Sequence, residues 1–530
     1  MRQQDNRTSE IGGRYAKYVL FILLIVYIFN FIDRQILSIL AEEIKLDLGI
    51  SDSEIGFLYG TAFAIFYAVF GIPLGRLADT WIRKNLIAIG LLFWSAMTAL
   101  SGTARNFGML ALYRIGVGIG EASASPAAFS MLADYFSPTQ RATVAGIYSS
   151  GVYIGAGIGI FLGGLILDGW QGIYPDPETS PFNLKGWHVA FFAVGIPGIL
   201  MALWVATIKE PVRGISEGIV TPPHPTPFKE AWKELQALTP LLNLIGIYRN
   251  GGGTSGVLLN LTALLGVVIL FWLLILATGD LAQWVALGFG VYVAFSWAQN
   301  LRYSDPATFS MMFSSKAFVF AVCGFPFLSF ITYGLGFWGP PYVQRAFGVS
   351  ASEAGTIMGL CIALGGWIGV TLGGYLGDKF RKRSVLGRYW VIFISLALCV
   401  PTGFGFTLTN NVTVAYISFF LLSAVSPMWL GCAISTVNDL VMPRMRAIAS
   451  AFYILMLTFI GLALGPYSIG LASDILMNAG YEGAEALKFA MMLGLAALIP
   501  ATINLIISSR HLDQDEKSRL DRAKALGEPT

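Results

Sequence analysis

Four residues sit where a lipid bilayer would make them expensive. Asp33 and Arg34 close a long apolar run that begins near residue 18, and Arg114 and Glu121 lie in the glycine-rich stretch 113–123. A charge inside a membrane span costs about 2.5–3.5 kcal/mol on insertion scales, so such residues point to function. A carboxylate at that depth can bind and release a proton, and a guanidinium can hold an anionic group. At a rise of about 1.5 Å per residue, Asp33 lies roughly 24 Å from the inner end of its helix. Arg114 is then about 10 Å below the outer surface and Glu121 about 21 Å below it. Arg114 and Glu121 are about two turns apart less ~20°, and so share a face. The expectation is that Asp33 pairs with Arg114, leaving Glu121 as the proton-titrating carboxylate towards a cavity. Glu121 and Asp33 are expected to serve proton coupling, and Arg114, Arg34 and Glu121 to bind the polar end of a substrate. The competing reading is a structural network that ties two helices together.

The elements that carry these residues are membrane spans. The chain has 530 residues, of which 55% are hydrophobic and 12% charged, with mean hydropathy +0.67. Soluble proteins carry about 25% charged residues, so this composition describes a polytopic membrane protein. Taking about 20 apolar residues per crossing, spans fall near 16–41, 54–79, 85–104, 107–135, 140–168, 187–208, 256–278, 281–301, 315–345, 352–378, 386–406, 411–440, 445–473 and 485–508. Between the sixth and seventh lies a proline-rich connection, then Phe228, Trp232, Leu235 and Leu238 at helical spacing opposite Lys229, Glu230, Lys233 and Glu234. That pattern predicts an amphipathic helix on the membrane surface. The expected organisation is a tail over 1–15, a six-helix bundle over 16–208, a linker over 209–255, an extra helix pair over 256–301, a second six-helix bundle over 302–509 and a tail over 510–530. The polar head leads into the first span without a small-residue cleavage site, so that span is expected to stay in the mature protein.

Basic residues set the expected orientation. With the N-terminus inside, only Lys45, Arg105, Lys185, Arg345 and Lys488 fall outside, and Arg34 and Arg114 lie within spans. The positive-inside rule then places both termini in the cytoplasm. The four cysteines sit in apolar runs without metal-ligand spacing. No strand or phosphate-binding lysine accompanies the Gly-Ile-Gly-Glu run, so it is no nucleotide loop. The expected energy source is a proton gradient without a cofactor or a metal. No nucleic-acid partner and no enzymatic activity are expected, and the chain is expected to be a monomer.

The halves repeat. Gly75 and Asp79 with Arg83-Lys84 correspond to Gly374 and Asp378 with Lys382-Arg383, an offset of 299 from Gly75 to Gly374. Asp134, Pro138 and Arg141 correspond to Asp439, Pro443 and Arg446, an offset of 305 from Asp134 to Asp439. Parallel repeats of this kind place a transporter's site near the bilayer midplane.

At these residues the chain resembles the major facilitator superfamily. The carrying motif is Gly75-Arg76-Leu77-Ala78-Asp79-Thr80-Trp81-Ile82-Arg83-Lys84, where Thr80 replaces the family's arginine, with a degenerate copy at Gly374–Arg383. Phe31–Arg34, Arg114–Ser123 and Ala133–Arg141 look like the Spinster lipid transporters; anion–cation symporters of the superfamily share part of that pattern. The resemblance implies an all-α fold of two six-helix bundles, here with an extra pair and about 14 spans. It also implies that Asp79, Arg83, Lys84, Asp134, Arg141, Asp378, Asp439 and Arg446 form an inner gate, against the plainer reading of charged caps at the membrane boundary.

The second half differs in kind. Its first span has no charge between Lys316 and Arg345, and Ser426 stands where Glu121 stands in the first. Phe325, Phe330, Tyr333, Phe337 and Trp429 are expected to receive an apolar tail, although aromatic spans also pack simply against lipid and neighbouring helices. The expected function is a proton-coupled secondary transporter in a bacterial inner membrane, moving a lysophospholipid or sphingoid-type amphiphile by alternating access. A symporter of small carboxylates and a non-transporting receptor or scaffold are the alternatives. Gly151, Gly155, Gly159 and Gly163, four residues apart, predict a ridge for close helix approach.

Overall fold

Helix α1, Arg14–Leu48, is 35 residues long, about 52 Å at 1.5 Å per residue and well beyond a ~30 Å hydrocarbon core. It ends at Gly49, whose φ of +64° supplies the left-handed cap. The computed structural model describes residues 11–217 and 224–528, and every regular element among the described residues is helical. The first residues of the expected N-terminal tail and residues 218–223 of the linker lie outside that description.

The first repeat continues with α2 (Asp52–Thr80), α3 (Arg83–Ser101), α4 (107–135), α5 (Arg141–Ile173) and α6 (Gly186–Thr207). The helix pair is α7 (Gly253–Thr278) and α8 (Leu281–Ser304), turned at Gly279 with φ +81°. The second repeat is α9 (Lys316–Phe347), α10 (Ala351–Arg381), α11 (Gly387–Leu408), α12 (Val412–Asp439), α13 (Pro443–Asn478) and α14 (Gly483–Lys517). Thirteen of these are long and apolar enough to cross a membrane. The remaining one, α4, is two consecutive helices, Phe107–Glu121 and Ala124–Tyr135, broken after Glu121. Ser123 Oγ donates to the Gly120 carbonyl at the break, 2.8 Å away. The break lies directly beside one of the four costly charges.

The chain forms two compact units. Unit 1 holds the chain up to Gly49, Phe66–Gln236 and Ser350–Gly359; unit 2 holds Ile50–Ile65, Ala237–Val349 and the chain from Leu360. The helix pair α7–α8 belongs to unit 2, and the first turns of α2 and of α10 each belong to the unit of the other repeat.

Within unit 1 the expected glycine ridge packs α5 on α1. A methyl group at Gly155 would stand 2.5 Å from the Ile28 carbonyl, and one at Gly159 2.9 Å from Ile32 Cα. The expected surface helix is present at Pro227–Leu238, with Phe228 and Trp232 more than half exposed and Leu238 buried. Lys233 Nζ lies 2.7 Å from Glu230 and holds that carboxylate below its ordinary range. In unit 2, α7 and α8 join through buried polar side chains. Asn260 donates to Ser296 and Gln299 and accepts from Tyr292, at 3.0, 2.7 and 2.6 Å.

Candidate functional site

Helices α1, α3 and α4 bring the four intramembrane charges together in unit 1. Arg34 Nη2 donates to Glu121 Oε2 at 2.8 Å, with the Glu121 side chain fully buried. The Arg34 guanidinium also lies over the rings of Phe31 and Tyr67, 4.7 and 5.4 Å from their centroids. Buried charges persist only when paired and hydrogen-bonded, and aromatic faces add cation–π attraction. Arg114 Nη1 donates to the backbone carbonyl of Asp33 at 3.2 Å. The expected side-chain pair Asp33–Arg114 is therefore replaced: Arg34, one residue on, takes the carboxylate of Glu121, and Arg114 takes Asp33's main chain.

Asp33 is the carboxylate left over. It is 1% exposed and forms no ion pair among the described residues; Thr98 and Trp94 are the side chains placed to donate to its carboxylate. Around it stand Glu121, Thr98, Arg114 and Trp94. Trp94 Nε1 and Thr98 Oγ1 are themselves buried. A buried carboxylate held by neutral donors and by no counter-ion can accept a proton without first breaking an ion pair.

Tyr148 of α5 lies in the same unit. Its ring stacks on Tyr27 at 4.4 Å, and its buried hydroxyl stands beside Ser125. Unit 2 carries a counterpart. Tyr453, 305 residues after Tyr148, meets Phe325 edge-on at 6.0 Å, while Trp429 stacks on Phe325 at 5.7 Å. The Tyr453 hydroxyl and Trp429 Nε1 are buried without hydrogen-bond partners among the described residues. Of the aromatic residues expected to receive a tail, Phe325 and Trp429 meet. Phe337 instead packs on Tyr59 at 4.3 Å, and Phe330 lines a separate apolar cavity of about 160 Å³ with Ile469 and Leu493. Tyr333 is half-buried. These residues form no single patch, because the turns of α9 direct them to different neighbours.

The expected gate residues are engaged within their own units. Arg83 is 1% exposed; it donates to Asp134 at 2.5 Å, Glu210 at 2.7 Å, both oxygens of Ser130 and the Pro211 carbonyl. The Lys84 amide donates to Glu210, and Lys84 Nζ to the Ala206 carbonyl. Arg141 pairs with Glu217 at 2.5 Å and donates to Ser216 and the Ala133 carbonyl. Asp79 stands near Arg213, Arg76 and Arg83. Arg213 donates to the carbonyls of Ala78 and Trp81, on either side of Thr80, where the family motif carries a basic residue. In unit 2, Asp439 pairs with Arg388 at 2.5 Å, and Arg446 donates to the Asn438 carbonyl. Among the described residues Asp378 has no ion pair. Sequence reasoning missed Arg388, although the offset of 305 that links Asp134 to Asp439 also links Arg83 to Arg388. It missed Glu210, Arg213 and Glu217 because they lie in a connection that shows no periodicity.

Comparison with known proteins agrees with this architecture. Residues 23–466 match the family model of the Major Facilitator Superfamily. The chain is 26% identical over 502 residues to a protein of Mycolicibacterium smegmatis described as an MFS-type efflux pump, covering 94% of each. It is 23% identical to Protein spinster of Drosophila melanogaster over 89% of this chain and 64% of that protein. A crystal structure of a bacterial homolog of the human lysosomal transporter Spinster, in an inward-facing and occupied conformation, superposes with a TM-score of 0.67. That structure is 25% identical and covers 96% of this chain and 98% of its own.

Proposed function

The chain belongs to the Major Facilitator Superfamily, as a Spinster-like transporter and a multi-pass membrane protein, and from that premise we propose that it is a proton-coupled carrier of amphipathic lipids. The substrate class is a lysophospholipid or sphingoid-type lipid, moved by alternating access. Both termini face the cytoplasm of a bacterial cell whose inner membrane holds the protein. Arg83, Lys84, Asp134 and Arg141 with Asp79, and Asp378, Asp439 and Arg446 in the second repeat, serve as the inner gate.

One observation carries the proposal: Asp33 is a buried carboxylate, in no ion pair among the described residues, beside the Arg34–Glu121 pair. Two carboxylates and two guanidiniums cancel when all are ionised. A proton on Asp33 leaves the group with one positive charge, so protonation changes which headgroup the site accepts. Glu121, already paired, is the second coupling residue, and it titrates once Arg34 turns to substrate. Within unit 2, Phe325 stacks on Trp429 beside the Tyr453 ring, a surface suited to an apolar chain.

The test is thermal stabilisation of the purified protein by lysophospholipids, sphingoid bases, fatty acids and small carboxylates, followed by uptake into proteoliposomes under a pH gradient. Selective stabilisation and gradient-driven uptake of a lysolipid or sphingoid base support the proposal. Stabilisation by carboxylates alone replaces it with a small-anion symporter, and stabilisation without transport of any compound replaces it with a receptor or scaffold.

A further inference from the structure

Two carboxylates, one in each unit, repeat one contact at matching positions. In unit 2, Asp474 near the end of α13 accepts hydrogen bonds from the backbone amides of Asp52 and Ser53, at 2.9 and 2.7 Å. Those amides open α2. In unit 1, Asp168 near the end of α5 accepts from the backbone amide of Ser352 at 2.7 Å. That amide opens α10. Ser352 follows Ser53 by 299 residues and Asp474 follows Asp168 by 306, nearly the offsets of the internal repeat. An acid at a helix N-terminus satisfies orphan amides and the positive end of the helix dipole.

Glycines bring the backbones close enough for this. A methyl group at Gly56 of α2 would stand 2.6 Å from the Pro466 carbonyl, and one at Gly60 2.6 Å from that of Leu462. In unit 1, a methyl at Gly355 of α10 would stand 2.7 Å from the Ile160 carbonyl, and one at Gly359 2.6 Å from that of Gly157. Gly470 and Gly164, one turn before the two carboxylates, would likewise collide with the Asp52 and Ala351 carbonyls. Each contact thus joins the first turns of one repeat's second span to the fifth span of the other repeat.

Unit 2 adds a lock that unit 1 lacks. Arg345 holds Asp52 through two hydrogen bonds, at 2.8 and 2.6 Å, and Ser473 donates to the same carboxylate at 2.7 Å. The position corresponding to Asp52 is Ala351.

We infer that Asp168 and Asp474 are a symmetry-related pair of gate carboxylates, whose release from the starts of α10 and α2 opens the transport path on the side remote from the termini. None of the inner-gate residues takes part. The inference rests on the transporter reading, which makes that side the outer one. The Asp474 contact, with two amides and the Arg345–Asp52 pair beside it, is the tighter of the two.

The test measures a distance, not transport. Spin labels are placed at Leu46→Cys and Tyr481→Cys, both exposed, in the full chain with its four native cysteines changed to alanine. The parent is expected to give one principal distance. Asp474→Ala is expected to raise a longer-distance population about tenfold, the scale of a lost charge-assisted hydrogen bond. Gly470→Ala should do the same by collision, and Asp168→Ala should do less. Gly146→Ala, where a methyl meets nothing within 4 Å, should change nothing. Asp474→Asn is the milder substitute if the alanine variant fails to fold. Distances unchanged in Asp474→Ala or Asp474→Asn and in Gly470→Ala would overturn the gate. Lengthened distances without uptake of any lipid would uphold the gate and overturn the substrate proposal instead.

Discussion

Arg34 and Glu121 meet at 2.8 Å, with the carboxylate wholly buried and the guanidinium nearly so. Removing either partner strands a charge that the other was neutralising. Arg34→Met is expected to destabilise by about 3–5 kcal/mol, as breaking one side of a buried pair generally does. Glu121→Gln should cost less, because the amide oxygen still accepts from Arg34. Thermal unfolding in detergent micelles compares the two; equal losses would show that the pair is not the source.

Asp33→Asn should behave in the opposite way. No ion pair of Asp33 is lost, the amide oxygen can still accept from Thr98 and Trp94, and a buried charge becomes neutral, which is favourable in itself. The expected outcome is a melting temperature at or above the parent's together with loss of pH-gradient-driven uptake in proteoliposomes. Retained gradient-driven uptake would remove Asp33 from proton coupling.

Arg83 and Arg388 occupy equivalent places, but only Arg83 is fully enclosed by acceptors. Arg83→Met should cost about 3–5 kcal/mol and Arg388→Met about 1 kcal/mol. Because Arg83 also holds Glu210 and Pro211, its loss should free the linker. Trypsin cleavage after Arg213, followed by mass spectrometry, is expected to accelerate in Arg83→Met and not in Arg388→Met.

Asp305 provides a pH-dependent contact between the loop after α8 and Arg444. Hydrogen bonding from Arg444, at 2.8 Å, pulls its carboxyl down from 3.8 to about 2. A depressed value means the contact stabilises the fold above about pH 4 and is lost as pH falls through about 2. Asp305 is partly solvated, so the effect is under about 1 kcal/mol. The melting temperature of Asp305→Asn should lie below the parent's at pH 5 and converge with it near pH 2. A gap that persists at pH 2 would contradict the assignment.

The spans, their order and the repeat were legible because apolar runs of bilayer length and motif spacing are properties of the chain alone. The identity of the buried ion pair was not. Depth along a helix locates a Cα, yet consecutive residues Asp33 and Arg34 point about 100° apart, and a guanidinium reaches several ångströms beyond its backbone. Depth arithmetic therefore found the four charges and mispaired them. Arg388 was hidden for a different reason. The repeat carries two offsets because loop lengths differ between the halves, and Arg83 was matched through the wrong one. The break after Glu121 was written in the chain but read as one span: Gly116, Gly118 and Gly120 precede it, and Ser123, Ser125 and Pro126 follow it, residues that weaken or restart a helix. The scattering of Phe325, Phe330 and Phe337 follows from the helical turn of α9, which a reading of aromatic content does not resolve.

The polar seam between α7 and α8 bears on how the chain enters its membrane. Tyr292, Ser296 and Gln299 of α8 are satisfied by Asn260 of α7 and by the Gly256 carbonyl. Alone in hydrocarbon, α8 would present those groups to lipid tails that cannot bond them. Helix α7 has a mean hydropathy of 2.6 over its most apolar stretch, against 1.4 for α8. It is therefore the segment able to partition first and to wait. The two helices must leave the translocon as one unit, the earlier escorting the later, and a ribosome pause or a spacer inserted at Gly279 would strand the second at the interface.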